Sequence, residues 1–191
     1  MDTKVINTVD DMWARVAYNA DRKVSEFIDE TMKLTEEDDK KYMLEAFEES
    51  TKSTCKRAHV GVVIADKMHI YGRGTNDAID GHPTCKEVGC LMVNNHCKRT
   101  VHAEMNAIIH AQAMINKHCT LYTTHYPCPD CMKHINQAGI KRVVYLLGYN
   151  HDYTNHFSDG IEIVKIPQTD DVNPQRLDMI QYFASNTEDD E

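Results

Sequence analysis

Two short runs hold the residue types of a metal-assisted hydrolytic site: His102-Ala103-Glu104 and Pro127-Cys128-Pro129-Asp130-Cys131. Alone, each is weak. A His-x-Glu arises by chance in many proteins, and Cys-x-x-Cys serves equally as a redox pair or as half of a structural zinc site. Both runs open a predicted helix, over 102–114 and 129–138, where free N–H groups and partial positive charge gather. Thiols placed there ionise more readily and bind metal as thiolates. One imidazole and two thiolates fill three of zinc's four tetrahedral positions and leave the last for water. Zinc draws the pKa of such a water down to about 7. Glu104 follows His102 by two residues, an offset of about 200° around a helix, so it need not compete for the ion. The competing reading is a structural zinc knuckle with a surface glutamate, but structural sites recruit a fourth protein ligand.

These runs need a scaffold, and the pattern around them supplies one. Residues 8–30 predict a helix: Thr8 can cap it, Asp11 sits in its first turn, and Met12, Val16, Ala20, Val24 and Phe27 recur on one face. A charged stretch, 35–41, leads to a second helical pattern through Tyr42, Leu44, Ala46 and Phe47, and 29–52 reads as a charged helical insertion on the surface. Val60-Gly61-Val62-Val63-Ile64 reads as a buried strand, and 70–74 as its hairpin partner or the end of it. Residues 74–100 are rich in Gly, Asn, Asp, Cys and His and show little periodicity. A loop of that length is usually functional or pinned. Leu121-Tyr122-Thr123-Thr124 and 143–147 read as further strands, and 161–164 as a short edge-like one. Pro129 suits the first turn of the 129–138 helix and Gly139 its end. Strands alternating with helices predict a layered α/β domain with parallel crossovers, one domain over 1–191, ending in an acidic tail at 184–191.

Composition narrows the function classes. The chain has 191 residues, 41% of them hydrophobic, and a formal net charge of −9. That charge does not attract a phosphate polymer, and Lys52, Lys56 and Arg57 form only a small basic patch. No apolar run is long enough for a membrane span, and the first residues lack a basic-then-apolar leader pattern, so a soluble cytoplasmic protein is expected. Seven cysteines, an odd number, favour metal binding over a disulfide scaffold.

Together the two runs read His-x-Glu…Pro-Cys-x-x-Cys, and this resembles the cytidine/deoxycytidylate deaminase superfamily. The flanks are similar to its deoxycytidylate branch: 99–108 around His-Ala-Glu-x-Asn-Ala-Ile, 124–131, 137–145 and 55–64. The resemblance spans roughly 55–150 and implies a three-layer α/β/α fold with a central mixed sheet of about five strands. It implies zinc held by His102, Cys128 and Cys131, with Glu104 as the proton shuttle. The implied reaction is hydrolytic deamination of deoxycytidine monophosphate (dCMP) to deoxyuridine monophosphate (dUMP), a supply for thymidylate synthesis. Alternatives within the superfamily are a deaminase acting on RNA or single-stranded DNA, and a non-catalytic zinc-binding module.

The resemblance also suggests substrate contacts: Asn76 to the sugar, Tyr126 near the base, and Tyr149 near the phosphate. Thr75 and Asp77 depart from the family's Gly-Tyr-Asn-Gly turn, which in regulated members serves nucleoside triphosphate effectors. Asp77 puts a negative charge where an effector phosphate would approach, which argues against such regulation. Cys55, Cys85, Cys90 and Cys97 lie together in the family frame and suggest a second, structural zinc, with His82 and His96 as alternative ligands. Cys119 reads as a small core residue. The implied partners are a small nucleotide and further copies of the chain, with no nucleic-acid polymer and no membrane.

Overall fold

The computed structural model describes residues 9–94, 96–148 and 153–167. Where the sequence predicts one domain over 1–191, the chain divides into two compact units, Met1–Lys33 and Leu34–Glu191. The first unit holds helix α1, Val9–Thr31. Trp13, Val16, Val24 and Phe27 on it are exposed. Thr8 and the 184–191 tail lie outside the described residues.

The second unit runs α2 (Glu36–Ser50), β1 (Gly61–Ala65), β2 (Ile70–Thr75), β3 (Asp77–Ala78), α3 (Cys85–Val88), β4 (Met92–Val93), β5 (His96–Cys97), β6 (Thr100–Val101), α4 (Ala103–Ala111), β7 (Thr120–His125), α5 (Pro129–Gln137), β8 (Arg142–Leu147) and β9 (Glu162–Lys165). Five strands form one mixed sheet in the order β2-β1-β7-β8-β9. β1 is antiparallel to both β2 and β7, while β7, β8 and β9 run parallel. The short strands make two separate ladders, β3 with β6 and β4 with β5.

Side chains alternate across a strand, so each central strand feeds two cores. Val62, Ile64, Leu121 and Val143 pack with Ala103, Ala107, Met132 and Ile135 of α4 and α5. Val63, Ala65, Tyr122, Val144 and Leu146 pack with Tyr42, Met43 and Ala46 of α2. The result is helix, sheet, helix: the three layers that the sequence implies.

The 29–52 stretch does not form a surface insertion. Its α2 buries Tyr42, Met43, Ala46 and Phe47, and the first three pack on one face of the sheet. The charge that suggested a solvated helix is concentrated in the first turn, at Glu36, Glu37, Asp38 and Asp39. There it favours the helix dipole, and Thr35 with Asp38 completes a capping box. Asp39 is nonetheless buried, and Arg142 of β8 answers it with two hydrogen bonds of 2.7 Å, joined by the Tyr122 hydroxyl at 2.9 Å. Paired and fully bonded, a carboxylate tolerates that depth.

α4 lies close on β2 because two strand residues lack side chains. A Cβ on Gly72 would stand 2.2 Å from the Ala107 carbonyl oxygen, and one on Gly74 2.1 Å from that of Ala103. Ala103, Ala107 and Ala111, one per turn, present the matching small face. This contact fixes the start of α4 at the strand ends where β7 delivers α5. Among the described residues no helix is long and apolar enough to cross a membrane.

Candidate active site

The parallel β7 and β8 end on the same side of the sheet, the usual place for ligands in such folds. β7 runs into the N-terminus of α5, and β6 into the N-terminus of α4. His102 is the N-cap of α4 and Cys128 the N-cap of α5, both with extended backbone. The Cys128 sulfur accepts the Cys131 N–H at 3.5 Å. His102 Nδ1 lies 3.5 Å from Cys128 Sγ and 3.3 Å from Cys131 Sγ. Tetrahedral zinc with ordinary bond lengths separates sulfur from nitrogen by about 3.6 Å, so the donor set fits that ion. The ligand atoms of His102, Cys128 and Cys131 all lie within 4.8 Å of one another, and no other His, Cys, Asp or Glu among the described residues joins that group.

Electrostatics set the two thiols apart. Its hydrogen bond with Cys131, aided by His102, brings the Cys128 thiol down to about 4 despite burial. Cys131 is pushed up, first by Cys128 and then by burial. The Cys128 hydrogen bond raises His102 against the effect of burial. Glu104 sits in the first turn of α4, only 5% exposed. Burial pushes its carboxyl above the usual carboxylate range. A carboxyl raised in this way holds a proton more readily than an exposed one, as a proton carrier must.

The other residues singled out in sequence fall as follows. Asn76 is buried just past β2 at the same end of the sheet. Its Oδ1 accepts the Val60 N–H at 2.8 Å and its Nδ2 donates to the Ala58 carbonyl at 2.8 Å. Much of its amide is therefore spent on shaping the 58–60 lead-in. Tyr126 is held by its hydroxyl, which donates to Asn155 Oδ1 at 2.9 Å, and by the Tyr145 ring at 4.8 Å. Tyr149 lies outside the described residues. Arg73 pairs with Glu45 at 2.7 Å, and Arg99 Nε donates to the Gly89 carbonyl at 3.0 Å.

The 74–100 stretch is organised around sulfur. The thiols of Cys55, Cys85, Cys90 and Cys97 all lie within 4.8 Å of one another, without His82 or His96. Cys85 and Cys97 are 3.5 Å apart, close to the roughly 3.8 Å that tetrahedral zinc sets between two thiolates. Thr84 caps the short α3 that carries Cys85, Gly89 turns at φ 81° before Cys90, and the β4–β5 ladder presents Cys97. Burial pushes Cys85 and Cys55 up. Against its own burial, Cys97 is lowered to about 7 by the Arg99 N–H and the Cys85 thiol. Cys119 is buried in the α4–α5 core, away from both clusters.

Four polar residues at this end were not singled out as site residues in sequence. Thr124 Oγ1 accepts the Gly61 N–H at 3.1 Å and meets His125 Nδ1 at 3.0 Å. Burial lowers His125 to about 4, so it is neutral at pH 7. Thr154 Oγ1 donates to the Pro127 carbonyl at 3.2 Å, bracing the turn before Cys128. Asn106 Nδ2 donates to the Thr75 carbonyl at 2.8 Å, tying α4 to the end of β2. Asn106 is the asparagine of the His-Ala-Glu-x-Asn-Ala-Ile run, which does not by itself reveal the tie.

Known proteins place this geometry. The cytidine and deoxycytidylate deaminase zinc-binding region matches residues 36–147. ComE operon protein 2 of Bacillus subtilis (strain 168) is 40% identical over 120 residues, 60% of this chain and 64% of that protein. The deoxycytidylate deaminase of Enterobacteria phage T4 is 38% identical over 124 residues, 54% of this chain and 64% of the phage protein. The chain thus spans less than two thirds of the length of either relative. The crystal structure of the cyanophage S-TIM5 dCMP deaminase with dCMP and dUMP is similar, at 31% identity and a TM-score of 0.62, over 70% of this chain and 100% of that one. With more than half its length matched, and with the zinc-ligand geometry in place, the chain belongs to the cytidine and deoxycytidylate deaminase family.

Proposed function

We propose that this protein converts dCMP to dUMP by zinc-dependent hydrolytic deamination. One observation carries the reading: three metal donors converge with no fourth among the described residues, and a buried carboxyl, Glu104, stands in the first turn beside them. A structural zinc site would have closed its last corner with another side chain. The choice of dCMP draws on the phage relatives named for that substrate and on the cyanophage enzyme that holds it.

His102, Cys128 and Cys131 hold the ion. When bound, zinc supplies the acidity that lets a water attack at neutral pH. Glu104 removes a proton from the attacking water as its oxygen bonds to C4 of the cytosine, and delivers that proton to N3. It then carries the second proton to the exocyclic nitrogen, and the C4–N bond breaks to release ammonia. Tyr126, fixed by Asn155 and Tyr145, offers a rigid aromatic face for the base. Asn76 keeps one amide hydrogen for the sugar, and Tyr149 serves the phosphate. The four thiols of Cys55, Cys85, Cys90 and Cys97 hold a second, structural zinc. A homo-oligomer working in the cytoplasm completes the proposal, testable by light scattering and cell fractionation.

A substrate panel tests the reading. Zinc-loaded protein is given deoxycytidine, its mono-, di- and triphosphates, a tRNA and a single-stranded DNA oligomer, and ammonia is followed. Preferred turnover of dCMP is expected. Turnover of a polymer alone would move the protein to a nucleic-acid-acting branch.

A further inference from the structure

The two donor clusters share a mechanical link, and one branch of it runs through a carboxylate. Cys55 enters the four-thiol group from the lead-in to β1, directly after Ser53 and Thr54. Ser53 Oγ donates to the Asn76 carbonyl at 2.8 Å and accepts the Cys55 N–H at 3.2 Å. The Thr54 hydroxyl donates to Asp77 Oδ1, which also accepts the Ala78 N–H at 2.7 Å. Two consecutive residues ahead of Cys55 are thus fastened to two consecutive residues after β2.

Asp77 then reaches the other cluster through the backbone. It pairs with Val101 across the β3–β6 ladder, and Val101 is followed by His102. The same ladder closes the stretch that carries Cys85, Cys90 and Cys97. On its other side Asp77 adjoins Asn76, whose amide shapes 58–60. A glycine at this position, as in the turn that the chain otherwise resembles, could make neither side-chain bond.

We infer that Asp77 is a positioning residue that couples the four-thiol cluster to the nucleotide site at Asn76 and His102. The inference rests on the function proposed above. A metal gripping Cys55 holds Ser53 and Thr54, and these hold Asn76 and Asp77 in the register that presents both the sugar contact and the imidazole. A carboxylate that merely stiffened a turn would add stability and nothing else.

The test uses the zinc-loaded full chain as wild type, Asp77→Ala, Asp77→Asn, Thr54→Val and the Asp77→Ala/Thr54→Val double variant. A chromogenic chelator follows zinc release, and KM and kcat are measured for dCMP. Loss of a partner outside the ligand shell is expected to speed release of the four-thiol zinc about tenfold in Asp77→Ala and Thr54→Val. KM is expected to rise severalfold, with kcat falling less than KM rises. Asp77→Asn, which keeps an accepting oxygen, should fall between wild type and Asp77→Ala. The double variant should be no worse than Asp77→Ala, because the Thr54–Asp77 bond that Thr54→Val removes is already lost there. Release and KM at wild-type values with only a lower melting temperature would overturn the coupling, as would additive effects in the double variant or a single zinc in the wild type. If wild type turns over no nucleotide, the proposed function fails, while wild-type release rates in the variants would still overturn the link from Asp77 to the four-thiol cluster.

Discussion

In the proposed mechanism the chemistry turns on Glu104. It sits at 5% exposure, where an ionised carboxylate has little water to solvate it, and burial holds its pKa above the ordinary range. Glu104→Gln keeps the shape and removes the proton carrier. We predict that this variant retains its zinc and loses at least about 100-fold in kcat, the scale of general acid–base catalysis. Near-wild-type turnover would take Glu104 out of that role. His102, Cys128, Cys131 and Glu104 were legible in sequence because their types and spacing are those of an open zinc site. Asn76 was legible as a position but not as a hydrogen-bonding hub, since its partners Ala58 and Val60 offer only backbone atoms. Thr124, His125 and Thr154 gave no signal because single polar residues at strand ends look alike until the sheet is assembled.

At the scale of elements, the catalytic geometry depends on how closely α4 approaches β2. Gly74→Ala would drive a methyl group to 2.1 Å from the Ala103 carbonyl oxygen, one residue from both His102 and Glu104. We predict a loss of about 2 kcal/mol in stability, measured by denaturant unfolding, and a fall in kcat/KM beyond what unfolding explains. The β1–β2 hairpin has its own lock. Asp66 accepts the Met68 and His69 N–H groups at 2.8 Å each and the Tyr71 hydroxyl at 2.6 Å. Burial works to raise its pKa, but these bonds prevail and hold it below the usual value. A depressed carboxylate contributes stability above its unfolded pKa, and that contribution is lost as pH falls through the folded value. Asp66→Asn should therefore be less stable than wild type at neutral pH, by about 2 kcal/mol, with the gap narrowing below about pH 4. A constant gap across pH would remove the carboxylate from that account. The helices and central strands near the site were readable from apolar periodicity. α2 was readable as a helix but not as a buried one, because its acidic first turn outweighed the spacing of Tyr42, Met43, Ala46 and Phe47. The β3–β6 and β4–β5 ladders pair two residues each, too short for any periodic signal.

For the whole molecule, the second unit is a three-layer core with one group of metal-donor side chains at the strand ends and a four-thiol group that joins Cys55 to the 74–100 excursion. Metal analysis should give two zinc ions per chain. Cys85→Ser should reduce that to one and lower the melting temperature, since a closed thiolate site contributes directly to folding; an unchanged count would remove Cys85 from the site. The acidic balance, −9 over 191 residues, remains the observation that sets a mononucleotide above a polymer as substrate. The central claim is that water, activated beside Glu104, replaces the amino group of a cytosine nucleotide. Turnover of dCMP in oxygen-18 water by the zinc-loaded protein examines it most directly. One heavy oxygen at C4 of each dUMP formed, with one ammonia released, is the predicted result; unlabelled dUMP, or no dUMP at all, would contradict it.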